Sequence, residues 1–288
     1  MSDDNRTLVM GAVAYDAKVV PIWEGFKSYF ARHGLSFDYV LYSNYERQVE
    51  AHLPGHTDVA WNSPLAWIRS ERLAQARNQR VEAIAMRDTD QDLTSVIVVR
   101  ADSPLVTVSD LKGKKIAVGA VDSPQATLIP LSYLRAKGLT PGVDFEVIYH
   151  DLLGGKHGDH IGGEREAARA LISGRADAAC VIDGNHLLFI SEGTFPPSAT
   201  RILAQTDTYD HCNFTAGPQA PRELVAQFRD LLLKMSYADA DVRPLMDLEG
   251  LKAWRTGRIE GYRALDKAVD EEGFYDRLGL ITVTNYRY

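Results

Sequence analysis

Residues Lys114 to Leu139, KKIAVGAVDSPQATLIPLSYLRAKGL, constrain the fold more than any other stretch. Ile116, Val118 and Ala120 alternate as in a strand, and Val121-Asp122 turns the chain. Ser123 then stands as a helix N-cap, with Pro124 at the first helical position, where its missing N–H is not needed. Ala126, Leu128, Ile129, Leu131 and Leu134 form an apolar helical face, and Gly138 ends the helix. A strand running into such a helix start offers backbone N–H groups, a hydroxyl and the positive end of a helix dipole, all suited to an anion. An ordinary, well-capped βα connection has the same sequence signature.

The device occurs twice. Asp58-Val-Ala-Trp61-Asn-Ser63-Pro64 is a short apolar strand that also ends in Ser-Pro and opens a helix over Leu65 to Arg77. Two such junctions suggest two lobes presenting matching helix N-termini. Ligands of open α/β sheets bind in that kind of crevice, outside the carboxyl ends of the strands.

The rest of the chain repeats the alternation. Strands are expected over Thr7–Tyr15, Phe37–Tyr42, Val81–Met86, Leu93–Arg100, Asp144–Tyr149, Ala176–Ile182 and Arg201–Thr206. Helices are expected over Ala17–His33, Tyr45–Leu53, Glu164–Ile172 and Pro221–Tyr237. Asp207–Gly217 reads as irregular, and shorter amphipathic pieces run on to about Phe274. Alternating βα units imply mainly parallel sheets with helices on both faces. The β-branched run Leu93–Arg100 is suited to carry the chain into a second lobe. The expected division is therefore 1–92 with 207–288 as lobe 1, and 93–206 as lobe 2.

With 288 residues, either one large domain or two modest lobes can bury a proper core. A formal charge of -7 and the lack of a basic stripe argue against nucleic acid as a partner. No apolar run approaches the roughly 18 residues of a bilayer span, so no membrane insertion is expected. Cys180 and Cys212 are too few for a disulfide framework, although one bridge is compatible with the count. The N-terminus, MSDDNRTLVMGAVAYD, shows no signal-peptide pattern. It predicts a periplasmic protein if a leader has been removed, and a cytoplasmic one if Met1 is the native start.

Four segments resemble the phosphonate-type substrate-binding proteins of ABC transporters, the PhnD-like family. They are Asp58–Pro64, Leu111–Val118 (LKGKKIAV), Ser123–Pro130, and Glu164–Cys180 with its G-x-A-D-A strand. In this order and spacing the resemblance covers residues 7 to 206. It implies a two-lobed periplasmic-binding-protein-like fold of type II, with a small solute gripped from both lobes by hinge closure. It also implies an ABC permease as a possible partner and no covalent chemistry. Where the family tends to carry a histidine, this chain has Gly163-Glu164, and Gln125 stands among residues that are usually smaller. A carboxylate there repels a dianionic phosphonate and suits a cationic or zwitterionic ligand, so the expected solute is a small polar, anionic or zwitterionic molecule, phosphonate-like or a related organic acid. Monomer and dimer are both compatible with the sequence. The rival readings are an enzyme on this scaffold, of the cysteine- or metal-dependent desulfinase or decarboxylase kind, and a cytoplasmic ligand sensor.

The expected ligand contacts are Tyr15, Asn62 and Ser63 in the first lobe, and Ser123, Gln125, Ala126 (through its backbone N–H), Thr127, Glu164, Asp183 and Asn185 in the second. For Tyr15 simple surface packing is an equal reading, for Asp183 a turn-forming Asp-Gly. Trp61 reads as core. Neither a cofactor nor a metal is expected: His150, His157 and His160 flank a glycine-rich loop that no helix or partner cysteine completes. That loop, Leu153–Gly163, suits a mobile flap. His211-Cys212 is the sharpest catalytic hint, although neighbours in sequence often point apart and a buried, inert thiol is the plainer reading.

Overall fold

The computed structural model describes residues 6–152, 154–158, 162–284 and 286–288. In chain order the first elements are β1 (Leu8–Val13), α1 (Val19–Arg32), β2 (Phe37–Tyr42), α2 (Tyr45–His52), β3 (Val59–Asn62), α3 (Pro64–Gln75) and β4 (Glu82–Arg87). Next come β5 (Ser95–Arg100), β6 (Lys115–Val118), α4 (Ile129–Ala136), β7 (Glu146–Tyr149), α5 (Gly162–Ile172), β8 (Ala178–Ile182), α6 (Asp183–Ser191) and β9 (Thr200–Gln205). The last are β10 (Asn213–Ala216), α7 (Arg222–Lys234), α8 (Arg243–Glu249), β11 (Trp254–Thr256) and α9 (Arg263–Glu272).

These elements form two compact units. Unit 1 comprises Met1–Gln91, Asp210–Tyr262 and Tyr275–Ile281; unit 2 comprises Asp92–Tyr209, Arg263–Phe274 and Thr282–Tyr288. Unit 1 has a six-stranded sheet in the order β11-β4-β10-β3-β1-β2. Its core is aromatic: α1 turns Trp23, Phe26 and Phe30 onto the sheet at helical spacing, against Trp61 of β3, Phe214 of β10, Phe228 of α7 and Trp254 of β11. The Trp61 and Phe214 ring centroids lie 4.6 Å apart. Removing one such ring costs about 3–5 kcal/mol.

Unit 2 has a five-stranded sheet in the order β7-β6-β8-β5-β9, covered on both faces. Ala167, Leu171, Phe189 and Phe195 close one side; Leu131, Leu134, Leu139 and Phe145 close the other.

Both sheets are mixed: β1 runs parallel to β2 and β3, and β6 parallel to β7 and β8, with an antiparallel strand inserted in each sheet. β10 is antiparallel to β3 and β4, and β5 is antiparallel to β8 and β9. The reason lies in the chain path. β5 and β10 bring the chain into their units, and each enters at the edge where its neighbours end. The 207–217 stretch, expected to be irregular, contains the central strand β10. Its Asn213 and Thr215 look loop-like in sequence but are fully buried. The last helix also differs from expectation. α9 and residues 282–288 group with unit 2, because α9 packs on α4 and Glu272 pairs with Arg135 at 2.7 Å. Among the described residues no helix is long and apolar enough to cross a membrane.

Candidate functional site

In unit 2 the Ser123 junction is shaped by two prolines. Ser123 Oγ accepts from Ala126 N–H, and Pro124–Leu128 forms one wide π-helical turn in which Ile129 N–H reaches Pro124 O. That leaves Gln125 O without a helical donor, and Pro130 has no N–H to give Ala126 O. Side chain and strand take over: Ser95 Oγ donates to Gln125 O, and Gly119 N–H donates to Ala126 O. Ser95 Oγ also lies 2.8 Å from Tyr209 Oη, a phenol whose pKa burial pushes well up, so that it stays neutral. Wide turns of this kind recur at functional sites.

A polar cluster surrounds this helix start. Glu164, in the first turn of α5, is buried; Gln125 Nε2 donates to its Oε1 at 3.2 Å. Ile182 N–H at 2.9 Å and Asn185 Nδ2 at 3.0 Å donate to its Oε2. Gln125 Nε2 also donates to Gly158 O at 2.8 Å. Asp122 Oδ2 accepts from Gly155 N–H, His157 N–H and the Tyr286 hydroxyl. Residues 154–158 are thus tied down at both ends around the helix start, and Lys156 sits between the two anchors. Burial lowers the Lys156 pKa.

Ser123, Gln125, Ala126, Glu164 and Asn185 therefore come together in this cluster. Thr127 turns away to donate to Ala120 O at 2.7 Å. Asp183 opens α6 instead of forming a turn; its carboxylate accepts from Thr94 Oγ1 and Gly184 N–H. His150 Nδ1 lies 3.0 Å from Val118 O, and His157 is buried. His160, with Leu153, Asp159 and Ile161, lies outside the described residues, as does that part of the expected flap.

In unit 1, Tyr15 is half-buried against the aromatic core, with Lys18 Nζ 5.8 Å from its ring centroid. Ser63 caps α3 by accepting from Ala66 N–H. Asn62 is fully buried, and both ends of its amide are engaged inside the unit. Gln48 donates to its Oδ1 at 2.8 Å, and its Nδ2 donates to Thr215 at 2.9 Å. Thr215 donates in turn to Asn213, Asn213 to Tyr262, and Tyr262 to His211 O.

That chain of hydrogen bonds ends at a second cluster. Arg87 grips the Asp90 carboxylate with two hydrogen bonds of 2.6 and 2.9 Å and also reaches the buried Glu249 carboxylate at 3.3 Å. Burial alone would raise the Asp90 pKa, but the charge and hydrogen bonds of Arg87, with His211, hold it at about 2. Burial pushes Glu249 up to about 7, with Arg87 opposing only in part. His211 Nδ1 lies 3.1 Å from Cys212 Sγ and 3.6 Å from Asp90 Oδ1. The two sequence neighbours point toward each other after all. Neither cysteine is in a disulfide.

Ser95, Tyr209, Lys156, Arg87 and Asp90 escaped the sequence reading. Ser95 is one hydroxyl inside a β-branched run, and Tyr209 falls in the stretch read as irregular. Arg87 and Asp90 show an i,i+3 charge spacing that most surface turns share. Only Lys156 carried a signal, as the cation in a glycine-rich loop.

Solved structures share this two-lobed α/β fold. PhnD1 from Prochlorococcus marinus, in complex with methylphosphonate, is 17% identical at a TM-score of 0.68, over 92% of this chain and 97% of that one. A binding-protein component of a Pseudomonas aeruginosa ABC phosphonate transporter is 15% identical at 0.59, covering 92% and 95%. The periplasmic aliphatic sulphonate binding protein SsuA from Escherichia coli is 20% identical at 0.56, covering 92% and 83%. Residues 12–268 match the family described as ABC transporter, phosphonate, periplasmic substrate-binding protein, and the chain belongs to that family.

Proposed function

We propose that the protein captures a small organic acid with a phosphonate- or sulfonate-type head group in the periplasm and delivers it to an ABC permease. Family membership supports capture and delivery. The methylphosphonate and aliphatic sulphonate named for structural relatives suggest the head-group class. The observation that carries the ligand class is the unit 2 helix start, wrapped by residues 154–158. The positive end of the helix dipole favours an anion there, and the loop that wraps it carries a cationic residue, Lys156. Glu164 works in the opposite direction. Its charge is matched by Gln125, Asn185 and Ile182 N–H, so a fully charged dianion beside it meets repulsion that a monoanion or a zwitterion meets less. In this reading Gln125, Asn185 and the Ser123–Ala126 turn touch the solute. Thr127 and Asp183 hold the turn and the α6 start in place, and Asn62 and Ser63 do the same for β3 and α3. Tyr15 contributes its ring.

The test is thermal unfolding with methylphosphonate, 2-aminoethylphosphonate, methanesulfonate and inorganic phosphate, followed by calorimetry on those that stabilise. A true ligand at a hundred times its Kd contributes about 2.7 kcal/mol, a rise in Tm of roughly 5 °C or more. If none of the organic acids raises Tm, the head-group assignment fails. If phosphate dianion binds tightest, the argument from Glu164 fails.

A further inference from the structure

We propose that Asp90, His211 and Cys212 in unit 1 bind a borderline-soft divalent cation of the zinc type, a site separate from the solute reading above. The three side chains are buried, and one ligand atom from each lies within 4.8 Å of the others. A tetrahedral ion with bonds of about 2.0–2.3 Å holds its ligand atoms roughly 3.3–3.6 Å apart. Here Nδ1 stands 3.1 Å from Sγ and 3.6 Å from Oδ1, near those spacings, and Sγ and Oδ1 lie within 4.8 Å of each other, so side-chain rotation closes the set around an ion. Thiolate, imidazole and carboxylate together select zinc-like ions over calcium or magnesium.

The frame around the three atoms is rigid. His211 N–H donates to Asp90 O at 2.8 Å, and Cys212 N–H donates to Asp90 Oδ1 at 3.2 Å, so the backbone itself sets the ligands face to face. Tyr262 donates to His211 O, and Arg258 holds the adjacent Asp210 with hydrogen bonds of 2.7 and 2.6 Å. Arg87 grips the Asp90 carboxylate, the kind of outer hydrogen bond that orients a carboxylate ligand.

Charge argues the same way. Two buried carboxylates, Asp90 and Glu249, share the single guanidinium of Arg87, so the pocket is built around acidic groups. The two charges of a divalent ion are matched by its own ligands, the Cys212 thiolate and the Asp90 carboxylate, the kind of pairing a buried charge requires. Binding forms metal–sulfur, metal–nitrogen and metal–oxygen bonds and releases the thiol proton to solvent, so affinity rises with pH. The His211 side chain keeps 11% of its surface exposed, so the cluster lies just beneath the protein surface.

Cobalt(II) is the probe, added to chelator-stripped protein. We expect one equivalent to produce a near-ultraviolet thiolate-to-cobalt absorption and tetrahedral visible bands, both displaced by Zn2+. Cys212→Ser should abolish the thiolate band, and His211→Gln should weaken cobalt binding at least about tenfold. Cys180→Ser should change neither. Circular dichroism checks that the variants fold. Independently of any variant, Zn2+ should protect Cys212 of the unaltered protein from alkylation, mapped by mass spectrometry. The proposal is overturned if no thiolate band forms, if the band survives Cys212→Ser, or if Zn2+ leaves Cys212 alkylation unchanged.

Discussion

His52 shows how one buried group couples the molecule to pH. It is wholly buried on α2, and burial lowers its pKa to about 4 against a weak raising contact with Asp58 O. Its folded pKa lies below the unfolded value near 6.5, so the stabilisation is complete above pH 6.5 and is lost as pH falls through 4. The whole swing is about 3 kcal/mol. Wild type should therefore lose stability between pH 6.5 and 4 in urea titrations, and His52→Gln should lose measurably less over that range. Parallel slopes for the two would show that His52 is not the group responsible. Asn62 offers a second case. Asn62→Ala leaves Gln48 and Thr215 without their partner inside the sheet, and it should cost about 1–3 kcal/mol in denaturant unfolding. A loss below roughly 0.5 kcal/mol would mean that the chain of hydrogen bonds from Gln48 to His211 carries little. At Cys180, burial, aided by the charge of Glu164, pushes the thiol up to about 12, so it stays protonated.

The wide turn at Pro124–Leu128 follows from Pro124 and Pro130 together with the donors that replace the lost helical bonds. The loop that wraps it depends on Gly158. Its φ of +72° favours glycine, and a Cβ there would stand 2.5 Å from Ser123 Oγ and 2.8 Å from Gln125 Nε2. Gly158→Ala should lift residues 154–158 off the helix start at a cost of about 1–2 kcal/mol of local strain. Hydrogen exchange at Gly155 and His157, whose N–H groups donate to Asp122, should then quicken while β6 stays protected. Unchanged exchange at those two amides would mean that the loop is not held as described.

Each unit has its own sheet and its own core, although the chain passes from one to the other more than once. The assignment of α9 to unit 2 can be tested without shortening the chain. Val269 is fully buried on α9. Val269→Asp places an unpaired charge in that packing, so amide exchange should rise over 124–136 and 263–274. Residues 8–13 and 59–62 of unit 1 should keep their protection. Equal loss in both sets would show that the two units unfold as one.

The Ser-Pro junctions, the α/β alternation and the aromatic face of α1 were legible from the chain alone, because capping, proline geometry and helical periodicity depend on neighbours a few residues away. The strand character of β10 was not. Asn213 and Thr215 are polar, and what makes them strand residues is a partner 153 positions distant, Asn62 to Thr215, and the Tyr262 hydroxyl. The antiparallel insertions and the grouping of α9 with unit 2 likewise depend on where the chain re-enters each sheet. Gln125 and Glu164 were read as ligand groups one by one, but their bond to each other and the part played by Ser95 and Tyr209 emerged only from folding. The His211–Cys212 pair makes the same point at the shortest range. Adjacency in sequence left their relative direction open, and the backbone bonds of both residues to Asp90 turned the two side chains together.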